Sequence, residues 1–173
     1  MRRPQLETAL RAVAELTKER EFVLVGAQSV HAHTEAPPPE VLVSEECDLM
    51  AKGRLERLEA VASALGKNSA FHAANGFFVD PVEPSILVFP AGWESRLTAM
   101  HVGVVTAWCL EANDLVVSKL DAGRLKDYEF VSALLREGLA QFDEVVRRVR
   151  TFPDPPRQPV LLARLRICRE SVP

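Results

Sequence analysis

Cysteine is scarce in this chain, and neither sign of charge is in excess. The three cysteines, Cys47, Cys109 and Cys168, are odd in number, far apart and in no metal-ligand spacing. That excludes a disulfide framework and a zinc finger or ribbon, and leaves reduced thiols in a cytoplasmic protein as the simplest reading. Lys and Arg total 21 against 24 Asp and Glu, a net charge of −3. No global field therefore draws the chain to nucleic acid or to an anionic membrane. No apolar run approaches a membrane span, and Met1-Arg2-Arg3-Pro4-Gln5-Leu6-Glu7 leads into a charged amphipathic stretch, not an apolar signal core. A Gly-x-Ser-x-Gly elbow, a Walker loop and a Rossmann fingerprint are all missing. His31 and His33 stand two apart, off a common helical face, and His72 and His101 are isolated, so zinc is not expected.

What is present describes a globular protein. Hydrophobic residues make up 47% and charged residues 26% of 173 positions, enough for one domain with a sizeable core. Helical spacing runs from Leu6 to Arg20, a short buried strand from Phe22 to Val25, and one or two helical turns from Ala27 to His33. Thr34 to Pro39 reads as a loop, Val41 to Met50 as a strand, and Arg54 to Leu65 as a helix stopped by Gly66. Strands are expected at Phe77–Val79 and Ser85–Phe89 around a turn at Asp80-Pro81, and at His101–Cys109 after the turn at 90–96. Helical spacing then fills Glu111–Ala122, Lys126–Arg136, Leu139–Val149 and Val160–Arg169. The expected architecture is a single α+β domain: a mixed sheet flanked by helices over residues 1–110, with a helical C-terminal part over residues 111–173. Pro153-Asp154-Pro155-Pro156 is too short to separate a second domain.

The chemistry concentrates in three places. Val23-Leu24-Val25 ends in the small-residue turn Gly26-Ala27-Gln28-Ser29. Ser44-x-Glu46-x-Asp48 then puts two carboxylates at i and i+2, on the same face of a strand. They are either solvated acids on a half-buried strand or a pair that shares a divalent cation. Farther on, Lys119 interrupts the apolar stretch 115–120, where an unpaired lysine is costly. Its stem either snorkels to solvent, pairs with Asp114, Glu111 or Asp127, or carries the ammonium into a polar pocket.

Taken in order, the Gly26-Ala27 turn, the Ser44-x-Glu46-x-Asp48 strand and the block Asp114-Leu115-x-x-x-Lys119-Leu120-x-Ala122-x-Arg124-x-Lys126-Asp127 resemble the nucleotidyltransferase superfamily. The likeness covers roughly residues 20 to 140 and is to its minimal members, similar to AbiEii-type toxins and their uncharacterised cousins. It implies metal-dependent transfer of a nucleotide from an NTP to an RNA (tRNA) or protein hydroxyl, with Mg2+ or Mn2+ as cofactor. A catalytically weakened nucleotide-binding module, or a toxin–antitoxin subunit working through a partner protein encoded nearby, is the alternative.

The resemblance also assigns roles. Gly26, Ala27, Gln28, Ser29 and Ser44 would cradle the triphosphate, Glu46 and Asp48 would bind metal, and Lys119 and Asp127 would complete the catalytic set. Lys119 would reach the phosphates, with Arg124 and Lys126 adding contacts from the turn between two helices. Asp80 is the best placed third carboxylate and Glu83 the next, although Asp before Pro is also an ordinary turn residue. Trp93 offers a face for stacking a base, or plugs the sheet edge; Arg96 contacts the triphosphate, or pairs with Glu94. Two positions depart from the usual Gly-Gly/Ser and Asp-x-Asp pattern, Ala27 and Glu46. The extra methylene of Glu46 matters to Mg2+, which tolerates little deviation from octahedral geometry. The basic run Arg147-Arg148-Val149-Arg150, with Arg157, Arg164, Arg166 and Arg169, is either an RNA-facing strip or a solvated helix face.

Overall fold

Leu6, Ala9, Leu10 and Val13 recur at the spacing of one helical face, and all are buried on α1 (Arg3–Thr17). The computed structural model describes residues 1–50 and 56–171. Pro4 sits in the first turn of α1, where no N–H partner is needed, and Lys18 closes the helix with φ 62 as its N–H bonds Ala14 O.

Among the described residues five strands follow: β1 (Glu21–Leu24), β2 (Glu46–Met50), β3 (Phe78–Val82), β4 (Thr98–Val102) and β5 (Val105–Cys109). They form one mixed sheet of order β3-β2-β1-β5-β4. The central β1 is antiparallel to β2 and parallel to β5; β2 is parallel to β3, and β4 antiparallel to β5. The crossover from β2 to β3 carries α2 (Glu56–Leu65) and α3 (Ala70–Asn75), as a parallel pair requires. The C-terminal part is α4 (Ala112–Ala122), α5 (Leu125–Arg136), α6 (Phe142–Val149) and α7 (Gln158–Glu170).

The period-2 alternation of strands divides the core in two. Phe22 and Leu24 of β1, with Cys47, Leu49, Val79 and Ala107, pack on α1 and α2. Val23, Val25 and Met50 face the other way, onto Leu115, Val116, Phe130, Val145 and Leu165 of the C-terminal helices. β2 obeys this division with one change. Its residues on the C-terminal side are Glu46, Asp48 and Met50, so two acids stand where a central strand would otherwise present apolar side chains.

The α+β architecture agrees with the sequence reading, and four local expectations are corrected. β2 begins at Glu46, because Pro39–Val41 forms a 3-10 turn and not the start of a strand. β3 runs straight through Asp80-Pro81, in register with Asp48 and Leu49; an edge strand tolerates the missing proline donor. The segment 84–86 is a 3-10 turn with Ile86 71% exposed, so no strand spans Ser85–Phe89. The expected strand His101–Cys109 is a hairpin: Val102 pairs with Val105, and Gly103 at φ 61 supplies the left-handed residue that opens the two-residue turn. α3, capped by the Ser69 hydroxyl accepting from His72 N–H, has no counterpart in the sequence reading. Arg54 and Leu55 of the expected helix lie outside the described residues.

Candidate functional site

β1 delivers the chain to Gly26 beside β2, where Val25 N–H donates to Asp48 O at 3.0 Å. A Cβ on residue 26 would lie 1.6 Å from Asp48 Oδ2 and 2.7 Å from Asp48 Cβ. Gly26 has φ −95, a conformation open to any residue, so glycine is needed here for space alone. The turn and the acidic strand are therefore one unit, in which Gly26 provides the seat for the Asp48 carboxylate.

Around Asp48 the other acids line up by register. Glu46 lies two residues before it on the same face, and Asp80 is its direct partner across the parallel β2–β3 ladder. Burial raises the Asp48 pKa, Lys119 and more weakly Arg124 pull it back, and the neighbouring Glu46 and Asp80 push it further up. Asp80 is exposed, yet burial of its inner side and the Glu46 charge raise it as well, with Lys67 opposing. Glu83 stands past the end of β3, exposed, accepting from the Ser85 hydroxyl at 3.4 Å. Among the described residues, no three His, Cys, Asp or Glu side chains are grouped so as to hold one ion. The donor set is nevertheless all oxygen and mutually repulsive, which suits a hard divalent cation. Mg2+ ordinarily takes one or two carboxylates and completes its shell with water and substrate phosphate.

Cations approach this acidic face from the helices. Lys119, on the last turn of α4, has a side chain only 12% exposed; its Nζ lies 3.9 Å from Asp127 Oδ1 and 5.4 Å above the Phe130 ring. Burial pulls its pKa down, while Asp48 first and Asp127 second hold the charged form. Asp127 caps α5: it accepts from the Arg124 backbone N–H at 3.1 Å and from that residue's guanidinium at 2.7 and 3.2 Å. Arg124, half-exposed, also feels Glu46 and Asp48. Between these groups is a pocket of about 20 Å³, bordered by Ala27, Ser44, Glu46, Lys119, Lys126 and Asp127 and walled by Glu40, Val41 and Val43.

The structure thus brings together Glu46, Asp48, Asp80, Lys119, Arg124 and Asp127, with Gly26, Ala27 and Ser44 beside them. It places other candidates differently. Gln28 and Ser29 are fully buried. The Ser29 hydroxyl donates to Leu24 O at 2.6 Å, and Gln28 Nε2 donates to Ser44 O at 3.2 Å, so both bind the turn to its own scaffold. The Ser44 hydroxyl accepts from Glu46 N–H at 3.3 Å. Trp93 packs on Phe89 at 4.7 Å between centroids, in the turn that leads to β4. That strand is three places from β2 in the sheet, about 14 Å at the usual strand spacing. Arg96 is spent on Asp114, with Nε and Nη2 at 2.7 and 3.0 Å from its carboxylate, and not on Glu94. Of the basic C-terminal residues, Arg148 contacts Asp114 and Glu144, Arg157 binds Asp121, and Arg164 caps α4 at Leu120 O. The wall Glu40–Val43 has no signal in the sequence: Glu40 is tied there by Arg136, 96 residues away, at 2.9 Å.

A family described as nucleotidyltransferase of unknown function (DUF6036) matches residues 4–149. Neither a curated protein nor a solved structure matches the chain. Among the described residues no helix is long and apolar enough to cross a membrane. The matched span contains both the acidic strand and the Lys119–Asp127 block, and the chain belongs to that nucleotidyltransferase family.

Proposed function

We propose that the chain transfers a nucleotide from an NTP to a hydroxyl acceptor, an RNA (tRNA) end or a protein side chain, with Mg2+ or Mn2+ held at Glu46 and Asp48. The observation that carries this reading is the seating of Asp48 on Gly26, flanked by Glu46 and Asp80 and faced by Lys119. Either acceptor suits the toxin-like role that the resemblance implies.

When bound, the metal would neutralise phosphate charge and polarise the reacting phosphorus. The remaining work falls to the chain. Lys119, buried against Asp127 and in the field of Asp48, faces the triphosphate, and Arg124 and Lys126 reach it from the α4–α5 turn. The acceptor oxygen attacks the α-phosphorus, the bond from that phosphorus to the bridging oxygen breaks, and pyrophosphate leaves. The hydroxyl proton passes to a carboxylate. Asp80, exposed and directly opposite Asp48 on the neighbouring strand, is the carboxylate most open to an incoming hydroxyl.

A pocket of about 20 Å³ holds roughly one water, whereas ligand pockets span roughly 300–1,000 Å³. An NTP that enters this pocket itself would need the Glu40–Val43 wall or the half-exposed Arg124 to move. That small pocket, with Glu46 in place of the usual Asp, favours a second reading: a nucleotide-binding module without turnover. Calorimetry with each NTP plus Mg2+, on wild type and Asp48→Ala, tests the site. Incubation with α-labelled NTP then separates the readings, since a module without turnover binds and gives no labelled product. NTP binding unaffected by Asp48→Ala would sink the site assignment.

A further inference from the structure

Beside the acidic site runs a second, larger depression, a groove of about 610 Å³ between α5 and α7. It is bordered by Glu40, Leu125, Tyr128, Glu129, Arg136 and Ile167. The α5 members are spaced along one helical face, and the groove touches the candidate site at both ends. Glu40 borders both cavities, and Leu125 directly follows Arg124. Its floor is tight, because the Ser132 hydroxyl donates to Cys168 O at 3.0 Å and fixes α5 on α7.

Its chemistry is apolar and acidic. Leu125 is 80% exposed and Ile167 53% exposed, two large aliphatic groups presented to water on the border of one groove. Glu129 is exposed. The cation on the rim, Arg136, is bound on both sides, to Glu40 at 2.9 Å and to Glu137 at 3.1 Å. A nucleic-acid acceptor brings one phosphate per nucleotide and is held through unpaired Lys and Arg along its path. Among the described residues that line this groove, no unpaired cation is present. The cations near the site, Lys119, Arg124 and Lys126, face the pocket at Glu46, where the triphosphate would take them.

We infer that the α5–α7 groove is the acceptor subsite of this enzyme and that its acceptor is a polypeptide. An extended peptide would lay an apolar side chain on Leu125 and Ile167 and a basic one near Glu129. Its Ser, Thr or Tyr hydroxyl would then reach past Arg124 to the α-phosphorus. This rests on the nucleotide-transfer reading of the site: the hydroxyl oxygen forms the new bond to the α-phosphorus, pyrophosphate departs, and the proton passes to a carboxylate of the acidic face.

The test uses the full chain with Mg2+ and each α-labelled NTP, offered a Ser/Thr/Tyr peptide array or bulk tRNA. It compares wild type with Leu125→Lys/Ile167→Lys, both at exposed positions. Label is expected on peptides, favouring those with basic and aliphatic residues near the hydroxyl. The double variant should raise the peptide KM tenfold or more while leaving the NTP Kd from calorimetry unchanged. Label on tRNA and not on peptides, peptide labelling indifferent to the double variant, or no label on either while NTP still binds, each overturns the inference and leaves the nucleotide site standing. Failure of wild type to bind any NTP removes both.

Discussion

Gly26 and Asp48 occupy the same space: the position a Cβ would take on residue 26 is 1.6 Å from Asp48 Oδ2. A side chain at 26 and the present carboxylate cannot coexist. The backbone of Gly26 is extended and unstrained, so the constraint acts through close packing of this residue against β2 and not through a backbone conformation that only glycine adopts.

Gly26→Ala is accordingly expected to push Asp48 off the acidic face while the sheet survives. The nearest atoms include Asp48 Cβ at 2.7 Å, so a rotamer change does not relieve the clash. Overpacking of this kind costs about 1–3 kcal/mol. Mg2+-dependent NTP affinity should fall by about 100-fold, with a folded protein still seen by circular dichroism. Ala27→Gly, which removes a buried methyl at the border of the pocket, creates room where Gly26→Ala creates a clash and should lower NTP affinity far less than Gly26→Ala does. Calorimetry on the two variants checks both statements.

Asp48→Asn separates stability from function. Burial raises the Asp48 pKa in the folded chain despite Lys119, so the native state binds that proton more tightly than the unfolded one. Stability contributed at Asp48 is then greatest at low pH and declines as pH rises from the ordinary value of about 3.9 through the raised one. At pH 7 and in EDTA, Asn should raise Tm by roughly 2–4 °C, the equivalent of about 1 kcal/mol, and make the fall of Tm with pH shallower. The same change should abolish metal-dependent binding. Melts between pH 4 and 8 measure the first effect, and a Tm lowered by Asn at pH 7 would contradict it.

How much of this was legible depended on how local each signal was. The i, i+2 spacing of Glu46 and Asp48 and the Lys119 interruption are periodic features, and both translated directly into faces of elements. Asp80 became the cross-strand partner of Asp48 only because β3 continues through Pro81, where Asp-Pro ordinarily suggests a turn. Gln28 and Ser29 looked like phosphate ligands because polar residues after a small-residue turn ordinarily face solvent. Here both are buried: the Ser29 hydroxyl donates to Leu24 O and Gln28 Nε2 to Ser44 O, while Gln28 Oε1 is left without a partner. The Arg136–Glu40 pair and the groove beside it depend on contacts across 96 residues, which no spacing encodes.

Lys119→Met keeps most of the stem over Phe130 and removes the charge. Two carboxylates then lose their shared cation, with Asp127 retaining Arg124 at 2.7 Å and Asp48 retaining little. The Asp48 pKa should rise further, and NTP affinity should drop by about 10–100-fold, or about 1.4–2.8 kcal/mol. Calorimetry with the NTP that wild type prefers checks this. An affinity equal to wild type would reduce Lys119 to a structural bridge.

Arg96→Ala tests the opposite kind of residue. Asp114 is fully buried and receives a bidentate guanidinium from Arg96, with Arg148 Nε a poorer contact at 3.4 Å. Burial raises the Asp114 pKa, while Arg96 and Arg148 hold it down. Removing Arg96 leaves a buried carboxylate under-compensated, which typically costs about 3–5 kcal/mol, the lower end applying because Arg148 stays. For a chain of this size that is a Tm loss of roughly 6–12 °C. Because Arg96 lies beside β4 and Asp114 on the N-terminal turn of α4, away from Glu46 and Asp48, the NTP Kd measured below the melting transition should remain within about twofold of wild type. A large change in Kd with little change in Tm would instead return Arg96 to the triphosphate, the role its position in sequence first suggested.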